Sequence, residues 1–151
     1  MKRLSPVIGI VGALLVAIVL GGCPATDIAT TSGGTDVSVA SGDAALARAF
    51  AEHAENLELE GRGTVTKLLA DDTEGDRHQR FIVRLAAGQT LLVTHNIDVA
   101  PRVASVQVGD TISFKGEYVW NAQGGLIHWT HHDPEGSHPG GWIKHNGRTY
   151  Q

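Results

Sequence analysis

The spacing of hydrophobic and polar positions changes character several times along this chain. Val7 to Leu20 is an unbroken apolar run of Val, Ile, Leu, Ala and Gly without a single charge. Its 14 residues fall short of the roughly 20 that a helix needs to cross a bilayer. From Pro24 to Gly42 the periodicity disappears into Thr, Ser, Ala, Gly, Asp and Val with no aromatic residue. That composition predicts a flexible tether. In the alanine-rich stretch Ala44 to Leu57, Leu46, Phe50, Ala54 and Leu57 recur at three- and four-residue spacing behind Ser41-Gly42-Asp43. This predicts an amphipathic helix with a capped start.

Beyond Gly61 the period drops to two. Gly63 to Leu69 is rich in β-branched residues and ends at the charged turn Asp71 to Asp76. His78 to Leu85 alternates, with Gln79, Phe81, Val83 and Leu85 on one face and His78, Arg80, Ile82 and Arg84 on the other. Ala87-Gly88-Gln89 turns the chain into Thr90–Asn96, and an irregular piece with Pro101 follows. Thr111 to Trp120 carries Ile112, Phe114, Tyr118 and Trp120 on one face, and Leu126 to His131 reads as the last strand. Five strands with a longer connection between the third and fourth predict a mainly β fold. The specific expectation is a small OB-like five-stranded Greek-key barrel preceded by one amphipathic α-helix. An SH3-like barrel or small sandwich is the alternative. Residues 43–151 form one domain in this reading, with the tether covering 23–42.

Charge and the first residues place the chain. Lys2 and Arg3 precede the apolar run, and Leu20-Gly21-Gly22-Cys23 follows it. A basic start, an apolar stretch and small residues before a cut make a secretory signal over residues 1–22. An aliphatic residue, two small ones and cysteine form a lipobox, making Cys23 the expected site of lipid attachment. Cys23 is the sole cysteine, so no intramolecular disulfide can form in an exported chain. Pro24, in place of an aspartate, resembles a sorting signal for the outer membrane, facing the periplasm. Residues 24–60 hold seven acidic residues and one basic, whereas residues 61–151 hold nine of each. No basic footprint for nucleic acid is present, and the partners expected are a membrane through the lipid and a small molecule, saccharide or peptide. The reading is of a monomer.

Seven of the eight histidines lie beyond Gly61. Imidazole is the commonest metal ligand and titrates nearest neutrality. Without cysteine in the domain, a zinc site would need histidine with carboxylate, and His128, His131, His132 and Asp133 are the candidate set. No H-E-x-x-H spacing accompanies them. Asp71, Asp72, Glu74 and Asp76 lack the alternation of an EF-hand and read as a solvated turn. Serines occur in the domain without a G-x-S-x-G elbow. Tyr118, Trp120, Trp129, Trp142 and Tyr150 crowd the last third of the chain. Aromatic rings beside polar groups suit ligand binding, and the candidate binding residues are His78, Arg80, His95, Asn96, Asp98, Trp129 and Trp142. Tyr118 and Trp120 are expected in the core.

The motifs His78-Gln79-x-Phe81, His95-Asn96-Ile97-Asp98, Gly116-Glu117-Tyr118-x-Trp120-Asn121, His128-Trp129-Thr130-His131 and Gly140-Gly141-Trp142 resemble the bacterial domain of unknown function 3465 family over residues 61–151. The resemblance implies a small secreted or lipid-anchored protein and brings no catalytic residue. The expected function is a periplasmic ligand-binding or accessory module on an envelope lipoprotein. The alternative is a histidine-dependent hydrolase, with zinc as its cofactor.

Overall fold

The computed structural model describes residues 34–151. The expected signal peptide, Cys23 and the first part of the expected tether lie outside the described residues. Among those described, no helix is long and apolar enough to cross a membrane. One helix, α1 (Gly34–Ala51), precedes seven strands: β1 (Leu57–Leu68), β2 (His78–Leu85), β3 (Thr90–Asn96), β4 (Thr111–Val119), β5 (Leu126–His128), β6 (Trp142–His145) and β7 (Arg148–Tyr150).

The first five strands close into a barrel in the order β1-β2-β3-β5-β4 and back to β1. All pairings in the ring are antiparallel except β3 with β5, which is parallel. This is the OB-like arrangement that the strand pattern predicts. β1 makes closure possible by serving two neighbours. Its first residues pair with β4 from Leu57 to Thr64, and its later ones pair with β2 from Gly63 to Leu68. The register slips between Val65 and Lys67, and such a bulge bends and twists a strand.

Period-two alternation fills the interior. Phe81, Val83, Leu91, Val93, Ile112, Phe114, Tyr118 and Ile127 are all buried. Gln79 shares that inward face, and its amide both donates to the Val103 carbonyl and accepts from the Val103 N–H. The irregular segment between β3 and β4 is thereby fastened across one end of the barrel, with Val103 and Val106 joining the core.

The helix departs from expectation at both ends. It begins at Gly34, inside the stretch read as tether, and stops at Ala51, short of Leu57. Leu46 and Ala49 form its buried contact, while Leu57 is 40% exposed at the start of β1. His53 and Asn56 take left-handed backbone angles after the last turn, a conformation that terminates helices. Trp120 holds this end by donating its indole N–H to the Phe50 carbonyl and stacking beside Phe50 and His53. Asp43 fastens the other side by accepting the Ala86 N–H.

The last strand also departs from expectation. β5 stops at His128 because Trp129 turns left-handed, with φ of 51°. The chain leaves the sheet, returns at Trp142, and resumes alongside β4 as β6. The excursion closes at its neck through the Gly141 N–H to His131 carbonyl bond of 2.9 Å. β6 and β7 then form a hairpin about Asn146-Gly147, both at positive φ. The strand pattern, which ends with Leu126 to His131, does not predict this hairpin.

Candidate binding cleft

The excursion between β5 and β6 lies against the ends of β2 and β3 and encloses a cleft of about 330 Å³. His78 and Asn96 face each other across the β2–β3 ladder and line one wall. His128, Trp129, His131 and His138 line the other, with Asp133 and Glu135 at the rim.

A stack of rings supports the excursion. Trp129 lies between His128, at a centroid distance of 4.7 Å, and His138, at 4.4 Å and nearly parallel. Both faces of the indole are therefore covered, so it is a pillar and offers no open stacking platform. His131 meets His138 edge-on at 5.1 Å. Asp133 shapes the loop that carries His138. Its carboxylate accepts from the His138 N–H at 2.8 Å, the Glu135 N–H at 2.9 Å and the Ser137 hydroxyl at 2.9 Å. The His138 N–H, followed by these other donors, holds the Asp133 carboxyl far below the usual carboxylate range.

Carbonyl groups only accept, so each imidazole nitrogen bonded to one must be the protonated nitrogen. His78 Nδ1 donates to the Asp76 carbonyl, His131 Nδ1 to the His132 carbonyl and His138 Nδ1 to the Pro139 carbonyl. In the neutral form, all three rings keep a free lone pair on Nε2. His128 is the reverse case, because its Nε2 donates to the Glu117 carboxylate at 3.1 Å.

His95 lies beneath the cleft and is fully buried. Its Nε2 donates to the Pro101 carbonyl, and its Nδ1 sits 2.9 Å from the Thr130 hydroxyl. Thr130 in turn reaches the Thr94 carbonyl. This chain ties the connection after β3 to the root of the excursion, making His95 a positioning residue. Burial pushes its pKa below the ordinary imidazole value of 6.5. The unfolded chain therefore binds a proton that the folded chain resists. Stability is fully present above pH 6.5 and is lost as pH falls through the folded-state value. Urea midpoints are expected to fall between pH 7.5 and 5.5, and to fall less in His95→Gln. An equal slope in both proteins would remove His95 as the cause.

Other predicted residues lie elsewhere. Arg80 braces the Asp71–Asp76 turn through the Ala70 carbonyl and Asp72. Asp98 is paired with Arg77 at 2.6 Å, and Arg77's backbone N–H and guanidinium lower its pKa. Trp142 is half-buried on β6 beneath the Lys144 ammonium. The proposed zinc quartet does not assemble: among the described residues, no three histidine or acidic side chains are grouped to hold a metal ion. His128 is engaged by Glu117, Asp133 by its own loop, and His132 is exposed outside the cleft lining. His138, absent from both predicted sets, is central instead.

The family model described as a protein of unknown function, DUF3465, matches residues 28–151. The chain belongs to this family. No curated protein matches it. The DUF3465 unit starts before α1, so the helix is part of the family's domain, beyond the Gly61 boundary at which the sequence resemblance begins. The cleft draws on both sides of that unit, from β2 through the excursion.

Proposed function

We propose that this DUF3465 protein is an envelope lipoprotein, anchored through Cys23, whose OB-like barrel holds a small polar ligand in the histidine cleft. The carrying observation is the convergence of His78, His131 and His138, each with Nδ1 committed to a main-chain carbonyl. Rings fixed in this way present acceptors at a set orientation, which is how a preorganised site limits the entropy lost on binding. The hydrolase alternative gains no support. Ser137, the serine of the cleft, gives its proton to Asp133 and not to an imidazole. The lipobox sequence supports the anchor, and the resemblance of Pro24 to outer-membrane sorting signals supports a place on the periplasmic face of the outer membrane.

One experiment on the full chain addresses both parts. Expressed with labelled palmitate, the wild type should carry label and fractionate with membranes, and Cys23→Ser should lose both. The same wild-type protein, with ¹⁵N-histidine and in an uncharged detergent, is then offered sugars, amino sugars, diamines and phosphate. Shifts in the rings of His78, His131 and His138, but not His145, are expected from at least one compound. Silence at all three rings would overturn the binding reading, and soluble unlabelled wild type would overturn the anchor.

A further inference from the structure

The cleft's hydrogen-bonding capacity is lopsided. The N–H groups of its four imidazoles are consumed by protein acceptors: three by carbonyls and the fourth, on His128, by Glu117. The Ser137 hydroxyl is spent on Asp133, and Asn96 uses an amide N–H on Asp76. The Nε2 lone pairs of His78 and His131 have no protein donor, the His138 Nε2 has the Asp133 carboxylate 4.0 Å away, and the acidic residues Asp76 and Glu135 also line the space. No lysine or arginine lines it. The guanidinium of Arg77, next in sequence to His78, is paired with Asp98.

The surrounding sheet adds negative charge. Glu58 on β1 lies opposite Glu117 on β4, which lies opposite His128 on β5. These cross-strand partners share a face, so two like charges form a row leading to the ring stack. Lys115 acts on Glu58 more strongly than Glu117 does, and Glu58 is also close enough to His138 to feel its charge, yet burial still raises the Glu58 pKa. Placing two glutamates opposite each other is unfavourable by itself. A cation bound nearby would offset that repulsion.

From this we infer that the cleft is selective for an organic ammonium ligand, a small primary amine such as an amino sugar or a short diamine. The inference rests on the binding reading above and names its substrate class. An ammonium group has only donors to give, which matches a wall of acceptors. A bare metal ion fits less well, because the histidine and acidic groups do not gather into a common ligand set. The volume also suits a molecule of several heavy atoms. Phosphates and carboxylates meet carboxylates and lone pairs here, and are repelled.

The test is a titration of the full ¹⁵N-histidine chain with glucosamine, 1,5-diaminopentane, glucose, N-acetylglucosamine, inorganic phosphate and Zn²⁺. At pH 7.5 the two amines should bind and shift His78, His131 and His138, while the neutral sugars and phosphate should not. His138→Gln and His78→Gln should each weaken amine binding about tenfold, the scale of one hydrogen bond to a charged group. Arg84→Gln, remote from the cleft lining, should bind as the wild type does. Glucose binding as well as glucosamine would overturn amine selectivity while leaving a binding cleft intact. Stoichiometric Zn²⁺ binding at these rings, tighter than either amine, would overturn it in favour of a metal. No response to any probe would overturn both inferences together.

Discussion

Replacing Phe114 with alanine is expected to lower the unfolding free energy by about 3–5 kcal/mol, the usual cost of deleting a buried phenyl ring. Phe114 is fully buried at the middle of β4, the strand that touches β1, β5 and β6. Its ring reaches across β1 at Gly61. A methyl group added there would lie 2.7 Å from both the Phe114 ring and Leu46 of α1. The absent side chain on Gly61 is the gap through which helix and barrel meet. Removing the phenyl group would leave a cavity walled by sheet on one side and helix on the other. A domain of this size is stable by only about 5–15 kcal/mol, so a large share is at stake. Urea unfolding followed by circular dichroism measures it. Gly61→Val should also destabilise, through overpacking. A loss below about 1 kcal/mol in Phe114→Ala would mean that helix and barrel do not share this core.

The face containing Ile112, Phe114 and Tyr118 was legible because each residue sits two or four positions from the next and glycines punctuate both ends. β2 and β3 fall on their expected residues for the same reason. The helix end was misread because Leu57 fits two periods. It continues the three- and four-residue spacing from Ala54, and it also begins the alternation Leu57, Leu59, Gly61 that belongs to β1. The β6–β7 hairpin carried its signal in Asn146-Gly147, a pair suited to a tight turn with both residues left-handed. Its strands, of four and three residues, are too short to show alternation.

The site was legible by composition and obscure in geometry. The crowding of histidines from His128 onward pointed to the segment that forms one wall of the cleft. Strand alternation could not foresee that Trp129 would turn left-handed, because a tryptophan carries no local preference for that region. His128 and His138 sandwich its ring, so a tertiary contact decides the local backbone. His78 and Asn96 are partners across the β2–β3 hairpin, but their approach to the rings after β5 depends on β3 running parallel to β5, a pairing between strands distant in sequence. Trp142 and Arg80 were plausible from residue type alone, and the sheet places them elsewhere.

Gly141→Ala should abolish amine binding and cost about 3 kcal/mol of stability, near the upper end of overpacking effects. A Cβ at Gly141 would collide with the carbonyl oxygens of both Trp129 and Lys115 and approach the Thr130 Cα to 3.0 Å. All three are backbone atoms, held by the sheet and by the bond from Gly141 to His131, so no side-chain rotation relieves the overlap. The neck of the excursion has to open. Trp129 would then slip from between His128 and His138, and β6 would lose its register on β4, uncovering Ile143 and Tyr150. Gly140 supplies the control. A Cβ there would meet only His132, at 3.8 Å, an ordinary contact. Gly140→Ala should therefore keep its stability and its amine response. Urea unfolding and the ¹⁵N-histidine spectrum of the two variants read the difference. If Gly141→Ala behaves as Gly140→Ala does, the neck is not what holds the cleft together, and the binding geometry must come from the barrel alone.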